Sequence, residues 1–125
     1  SAAPDAWRWA EAPAGRWIAL RAAGEERPGV CATVPIALTP AGREGLLLDV
    51  RCARSGRDRG GVGVELLNAA GALIAGRRAR VSRGDGWVRV VWERGKDLWD
   101  LDTPAIRLRF TIEPGARLYG FRFAD

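Results

Sequence analysis

The chain reads as an all-β protein, a two-sheet antiparallel β-sandwich, and three observations predict it. Residues 105–112, Ala-Ile-Arg-Leu-Arg-Phe-Thr-Ile, alternate apolar and polar side chains with a period of two. Glu113-Pro-Gly then breaks the run before a second, aromatic-rich stretch over 116–123, a pattern that predicts a hairpin. Seven to nine short runs of this kind, separated by turn signals drawn from 16 Gly and 7 Pro, fit two stacked sheets, and no segment supports a βαβ unit.

Taken in order, residues 1–15 are rich in Ala and Pro and read as a linker or extended arm, with Trp7 and Trp9 on one side if that arm is extended. The sandwich module is expected over 16–125, with strands at 17–22, 30–38, 46–53, 62–68, 73–75, 77–81, 87–93, 106–112 and 117–123. Helix is expected only as a turn or two near 96–100. Period-two alternation names the core: Leu46, Leu48, Val50 and Cys52 on one strand, Val62, Val64 and Leu66 on another, and Ile106, Leu108, Phe110 and Ile112 on a third. Near residue 90, Val88, Val90 and Trp92 share a face, while Trp87, Arg89 and Val91 point the other way.

Length and composition bound the rest. A chain of 125 residues forms one domain able to bury a core without metal or disulfide support, and no apolar run reaches the length of a membrane span. Beginning at Ser1 with no Met, it reads as an excised domain or mature fragment. The formal charge of +5 is carried by arginine, Lys96 being the only lysine. A genome rich in G and C produces that bias by itself. Between Arg51 and Arg94, however, ten arginines face four acids, and guanidinium forks suit carboxylate, sulfate or phosphate. A solvated loop face is the simpler reading of that stretch and the preferred one.

Two cysteines allow one bridge. If 39–44 turn a hairpin centred between Ala41 and Gly42, paired residue numbers sum to 83 and Cys31 lies opposite Cys52. A disulfide is then geometrically available, and a small buried thiol pair would satisfy the core as well.

Catalysis fails by inventory. With no His, nucleophile–imidazole pairs and imidazole metal ligands are excluded, and the cysteines lack a C-x-x-C spacing. Asp49, Glu65 and Glu93 fall at outward positions on separate strands beside arginines, unlike the paired carboxylates of a glycosidase. The run around Gly60, GRDRGGVG, has neither the lysine nor the helix of a phosphate loop. Of the three carboxylates within 97–102, Asp97 and Asp102 read as turn caps, which is preferred to a calcium site, and no metal or cofactor is expected.

The string AIRLRFTIEPGARLYGFRF resembles the closing strands of a β-sandwich module at the C-terminus of many bacterial glycosidase-like proteins, above all those built on a five-bladed propeller such as levanases and invertases. The likeness continues through RWIALRAAGEE, ATVPIAL, GLLLDV, GGVGVELLNAAGALIAG and VVWERGKDL, in the order that module uses, over about residues 16–123. It implies a jelly-roll-like sandwich, a secreted or cell-surface location, a covalently linked glycosidase domain in the full-length protein, and core aromatics at Trp17 and Trp92. Two departures stand out. GRRARVSRGDG replaces the module's usual Cys flanked by acids, and Trp87 and Trp99 replace small polar residues.

The expected function follows from those indoles. Pyranose rings stack on flat aromatic faces while forked polar groups bind their hydroxyls. The chain is therefore expected to be a non-catalytic carbohydrate-binding module for a polysaccharide or oligosaccharide, with Trp87 and Trp99 as platforms and Arg89, Asp97 and Asp100 as hydroxyl partners. The rivals are an accessory sandwich that packs on a glycosidase domain without binding sugar, and a basic module binding a polyanion. Neither a membrane nor nucleic acid is the expected partner, because the arginines lack the single-groove organisation of an OB-type barrel.

Overall fold

Alternating rows of Leu, Val, Ile and Phe close into two facing antiparallel sheets in the computed structural model, which describes residues 7–11, 18–22, 28–52 and 60–124. The strands are β1 (Trp7–Glu11), β2 (Ile18–Ala22), β3 (Gly29–Ala32), β4 (Ile36–Ala37), β5 (Leu46–Arg51), β6 (Val62–Asn68), β7 (Leu73–Val81), β8 (Asp85–Arg89), β9 (Ala105–Ile112) and β10 (Arg117–Phe123). One sheet has the order β1-β2-β10-β5-β8. The other runs β3-β9-β6-β7, with β4 pairing the opposite end of β9 from β3. The segment expected as linker or arm contributes β1, which pairs antiparallel with β2 from Trp7↔Ala22 to Glu11↔Ile18. Trp17 lies outside the described residues.

The predicted core rows face one another across the sandwich. Leu46, Leu48 and Val50 of β5 are fully buried, as are Val62 and Leu66 of β6 and Ile106, Leu108 and Ile112 of β9. Each such side chain contributes about 1.5–3 kcal/mol by leaving water. Trp92 is 2% exposed and joins this core, as the alternation through Val88 and Val90 requires.

Two predicted hairpins are corrected. β9 and β10 belong to different sheets: β9 pairs β3, β4 and β6, whereas β10 pairs β2 and β5. Glu113-Pro-Gly is a crossing from one layer to the other, closed by the Ala116 amide on the Glu113 carbonyl at 3.1 Å. The reason is burial. Each strand carries an apolar row, and placing them in opposite layers lets Phe110 meet Phe121 across the core with ring centroids 5.6 Å apart. The Glu113 carboxylate, bound by Arg80 at 2.7 and 2.5 Å and by the Gly61 amide at 3.1 Å, pins this crossing. The Arg80 guanidinium, with the amide's help, holds the carboxyl below its ordinary range.

The second correction concerns the cysteines. Residues 30–38 and 46–53 do not form a hairpin, because β3 and β4 lie in one sheet and β5 in the other, joined through a 3-10 turn at Ala41–Glu44. Cys31 pairs in register with Phe110, not Cys52. Both thiols are free: Cys31 is half-buried, while Cys52 is buried with its Sγ 3.5 Å from the Val81 carbonyl. Burial pushes the Cys52 thiol up, away from its reactive thiolate. In the native protein a thiol reagent is therefore expected to label Cys31 first and Cys52 only on unfolding, with both labelled when the unfolded, unreduced protein is alkylated. Recovery of a bridged peptide by mass spectrometry would contradict this placement.

Smaller differences have local causes. The helical turn expected near 96–100 occurs instead at Ala41–Glu44. The predicted strands 73–75 and 77–81 are one strand, irregular where Gly76 takes φ 77°, and the pairing with β6 shifts between Glu65 and Leu67. The strand predicted over 87–93 pairs only through β8, after which the Trp92 amide turns back onto the Gly95 carbonyl at 2.8 Å.

Candidate functional site

The candidate site residues fall on β8 and on the segment that follows it. β5 is the sheet's reference strand: Leu46, Leu48 and Val50 point into the core, so Leu47, Asp49 and Arg51 form the outer row. Register then carries that outer face to both neighbours. Arg117, Arg51 and Asp85 stand in one row across β10, β5 and β8; Gly120, Asp49 and Trp87 form the next; Arg122, Leu47 and Arg89 form the third. Trp87 is 47% exposed on this face.

A feature that sequence reasoning missed lies across it. The Arg122 guanidinium sits over the Trp87 ring, 4.7 Å from the centroid, although β5 separates their strands. The two strands stand about 9–10 Å apart, two strand spacings, so the guanidinium and the indole reach toward each other across β5. Asp49 keeps the outward sense that alternation predicts, yet it is buried. Such a cation–π contact contributes about 0.5–1 kcal/mol at an exposed site and fixes the indole's orientation. Phe-Arg-Phe at 121–123 announces an outward Arg122, but which strand lies within its reach depends on the pairing of β10 with β5.

Arg89, two residues along β8, donates from Nη2 to the Glu44 carbonyl. Gly45 makes this approach possible. Its φ is 137°, and a Cβ there would lie 2.9 Å from the Lys96 carbonyl and 3.0 Å from Arg89 Nη2. The segment 96–98 therefore runs beside 43–45, and the Leu98 amide donates to the Arg43 carbonyl at 2.8 Å. By these bonds the end of β8 and the turn bearing Trp99 meet the same corner.

Trp99 is 52% exposed, yet its turn is held firmly. Leu98 is fully buried beneath it. Arg43 donates to the carbonyls of Leu98 at 3.2 Å, Leu101 at 2.5 Å and Thr103 at 3.3 Å. Asp97 Oδ1 accepts from the Trp99 amide at 3.3 Å, the expected cap. The turn at Pro104 is held by Thr103 Oγ1 on the Ala105 carbonyl at 2.8 Å, and Asp102 makes no such bond among the described residues. Asp100, expected as a hydroxyl partner, is also bound within the chain. Its Oδ1 accepts from Nη2 of Arg77, whose side chain is 1% exposed and whose Nη1 donates to the Arg94 carbonyl.

Arg77 and Arg43 are thus the clamps of the Trp99 turn. Arg77 follows Gly76 at the irregularity in β7, which turns its side chain inward among core residues. Nothing in an arginine-rich stretch singles it out. Of the acids considered for catalysis, Glu65 lies between Arg109 at 2.8 Å and Arg78 at 3.8 Å, and Glu93 is in the exposed turn after Trp92. Among the described residues no three carboxylate or thiol side chains are grouped so as to hold a metal ion.

The fold and this face define a β-sandwich that presents an exposed indole and several arginines on one sheet, with a second indole on a braced turn beside it. No protein-family model matches the chain, and no curated protein is found similar to it.

Proposed function

We propose that the domain is a secreted, non-catalytic carbohydrate-binding module that holds a linked glycosidase domain to its polysaccharide. The observation that carries the reading is the state of the two indoles: both are about half exposed, and each is fastened by arginine to a rigid frame. A platform fixed before the ligand arrives avoids the cost of ordering it on binding. Trp87 and Trp99 are the stacking surfaces. Arg89 has its remaining guanidinium donors, and Asp97 its second oxygen, for sugar hydroxyls; Asp100 contributes chiefly by keeping the Trp99 turn in place. Single-site affinity is modest, and tethering raises the effective concentration of the linked domain.

Affinity electrophoresis against a panel of soluble polysaccharides tests this. Trp87→Ala or Trp99→Ala is expected to weaken retention by about tenfold or more, since a stacked ring contributes about 1–3 kcal/mol, while the melting temperature barely moves. If both variants are retained as the parent is, these indoles are not the platforms.

One observation favours a second reading, a sandwich that packs on a glycosidase domain and binds no sugar. Val91, 57% exposed, continues the outward side of β8 toward the Trp99 turn and adds apolar surface without a polar group. Absence of retention by every polysaccharide, together with protection of Val91 and Trp99 from solvent when the linked domain is present, is the outcome that reading requires.

A further inference from the structure

We infer that the polymer held on the outer face of β10, β5 and β8 is an acidic polysaccharide, one whose rings carry carboxylates; this rests on the carbohydrate-binding reading above. The three rows of this face hold four arginines, Arg51, Arg89, Arg117 and Arg122, against two acids, Asp49 and Asp85. Asp49 is buried, so its carboxylate is not offered to a ligand for contact, whereas Arg51, Arg89 and Arg122 are exposed and Arg117 half-buried.

The distribution matters more than the count. Arg51 and Arg117 face each other on neighbouring strands, about 5 Å apart at the backbone, and form no ion pair among the described residues. Like charges directly opposite each other destabilise a sheet, and an anion placed between them relieves that repulsion. A carboxylate matches the guanidinium fork in plane and spacing. Four residues along β5 separate this row from that of Arg122 and Arg89, about 13 Å, with Trp87 between them. Gly120 shares the Trp87 row and leaves its floor bare, since a Cβ there would meet nothing within 4 Å. A ring stacked at Trp87 would thus have the Arg51–Arg117 pair on one side along the strands and Arg89 on the other, with the Arg122 guanidinium against the indole itself.

Nucleic acid fits this face less well. Channels for single strands stack successive bases on successive aromatics, and these rows offer one indole.

The test is affinity electrophoresis of the whole chain in gels containing polygalacturonate or alginate, their esterified forms, or a neutral β-glucan, with a single-stranded oligonucleotide as competitor. Retention is expected in a polyuronate gel, lost on esterification, weakened by salt, and reduced at least tenfold in Arg51→Gln/Arg117→Gln with a melting temperature equal to the parent's or higher. Equal retention by acidic and esterified polymers, or by neutral glucan with the double variant unaffected, overturns the acidic ligand and leaves sugar binding standing. Displacement by the oligonucleotide at lower concentration than by free oligouronate overturns it in favour of a general polyanion surface. Retention in none of the gels overturns both this inference and the reading it rests on. The esterification arm needs no variant, so it decides even if the double substitution unfolds the domain.

Discussion

Trp92→Ala is expected to destabilise the domain by about 3–5 kcal/mol, enough to unfold a marginal sandwich outright. The indole is buried among core residues contributed by both sheets, at the place where the chain leaves β8 and turns back on itself through the bond from the Trp92 amide to the Gly95 carbonyl. Removing it empties a large volume that neighbours on rigid strands cannot refill. Trp92→Phe provides the contrast. The indole Nε1 makes no hydrogen bond among the described residues, so no polar partner is orphaned by its loss, and the cost is expected to stay near 1–1.5 kcal/mol. Urea unfolding with a constant m-value measures both. An Ala variant within 1 kcal/mol of the parent would show that the ring is not part of the core.

Asp100→Ala is expected to cost about 2 kcal/mol and to weaken sugar retention as well. It strands the Arg77 guanidinium, whose side chain is buried and whose Nε already makes no hydrogen bond among the described residues. Stripping the partner from a fully buried ion costs about 3–5 kcal/mol; here the carboxylate is half exposed and the loss is smaller. Arg77→Met removes the buried charge itself and leaves Asp100 free to be solvated, so it should be the milder change despite its larger chemical difference. A double-mutant cycle checks the ordering. If Arg77→Met proves the more damaging by over 1 kcal/mol, the bond from Arg77 Nη1 to the Arg94 carbonyl matters more than the ion pair with Asp100. Loss of retention in Asp100→Ala with the full strand signal retained would place the defect in the Trp99 turn, not the sandwich.

The resemblance to glycosidase-associated sandwich modules supplied a function to test, and the departures from it, Trp87 and Trp99, supplied the residues. Exposure of both indoles was legible because each follows from a local rule: Trp87 alternates with Val88, which packs half-buried against the core, and Trp99 sits between Asp97 and Asp100 in a turn. Their surroundings were not legible. Arg122 is thirty-five residues from Trp87 in the chain, and Arg43 is more than fifty from the carbonyls it binds.

What the sequence alone determined is the fold class, the core rows of β5, β6 and β9 and the inward or outward sense along β8, because period-two alternation is a property of the extended backbone and needs no knowledge of neighbours. Trp92 in the core and Trp87 on the surface follow from it directly. Only the tertiary structure decided which strands pair. An apolar row can be buried equally by a hairpin partner's sheet or by crossing to the opposite layer, and local patterning does not distinguish these. That choice separated Cys31 from Cys52, sent β9 and β10 to different sheets, and set β10, β5 and β8 side by side. The cluster of Trp87, Arg122, Arg51 and Arg117 exists for that reason alone: its members are brought together by hydrogen-bonded registry between strands distant in sequence, where closure of long loops is repaid by burial of the core beneath them.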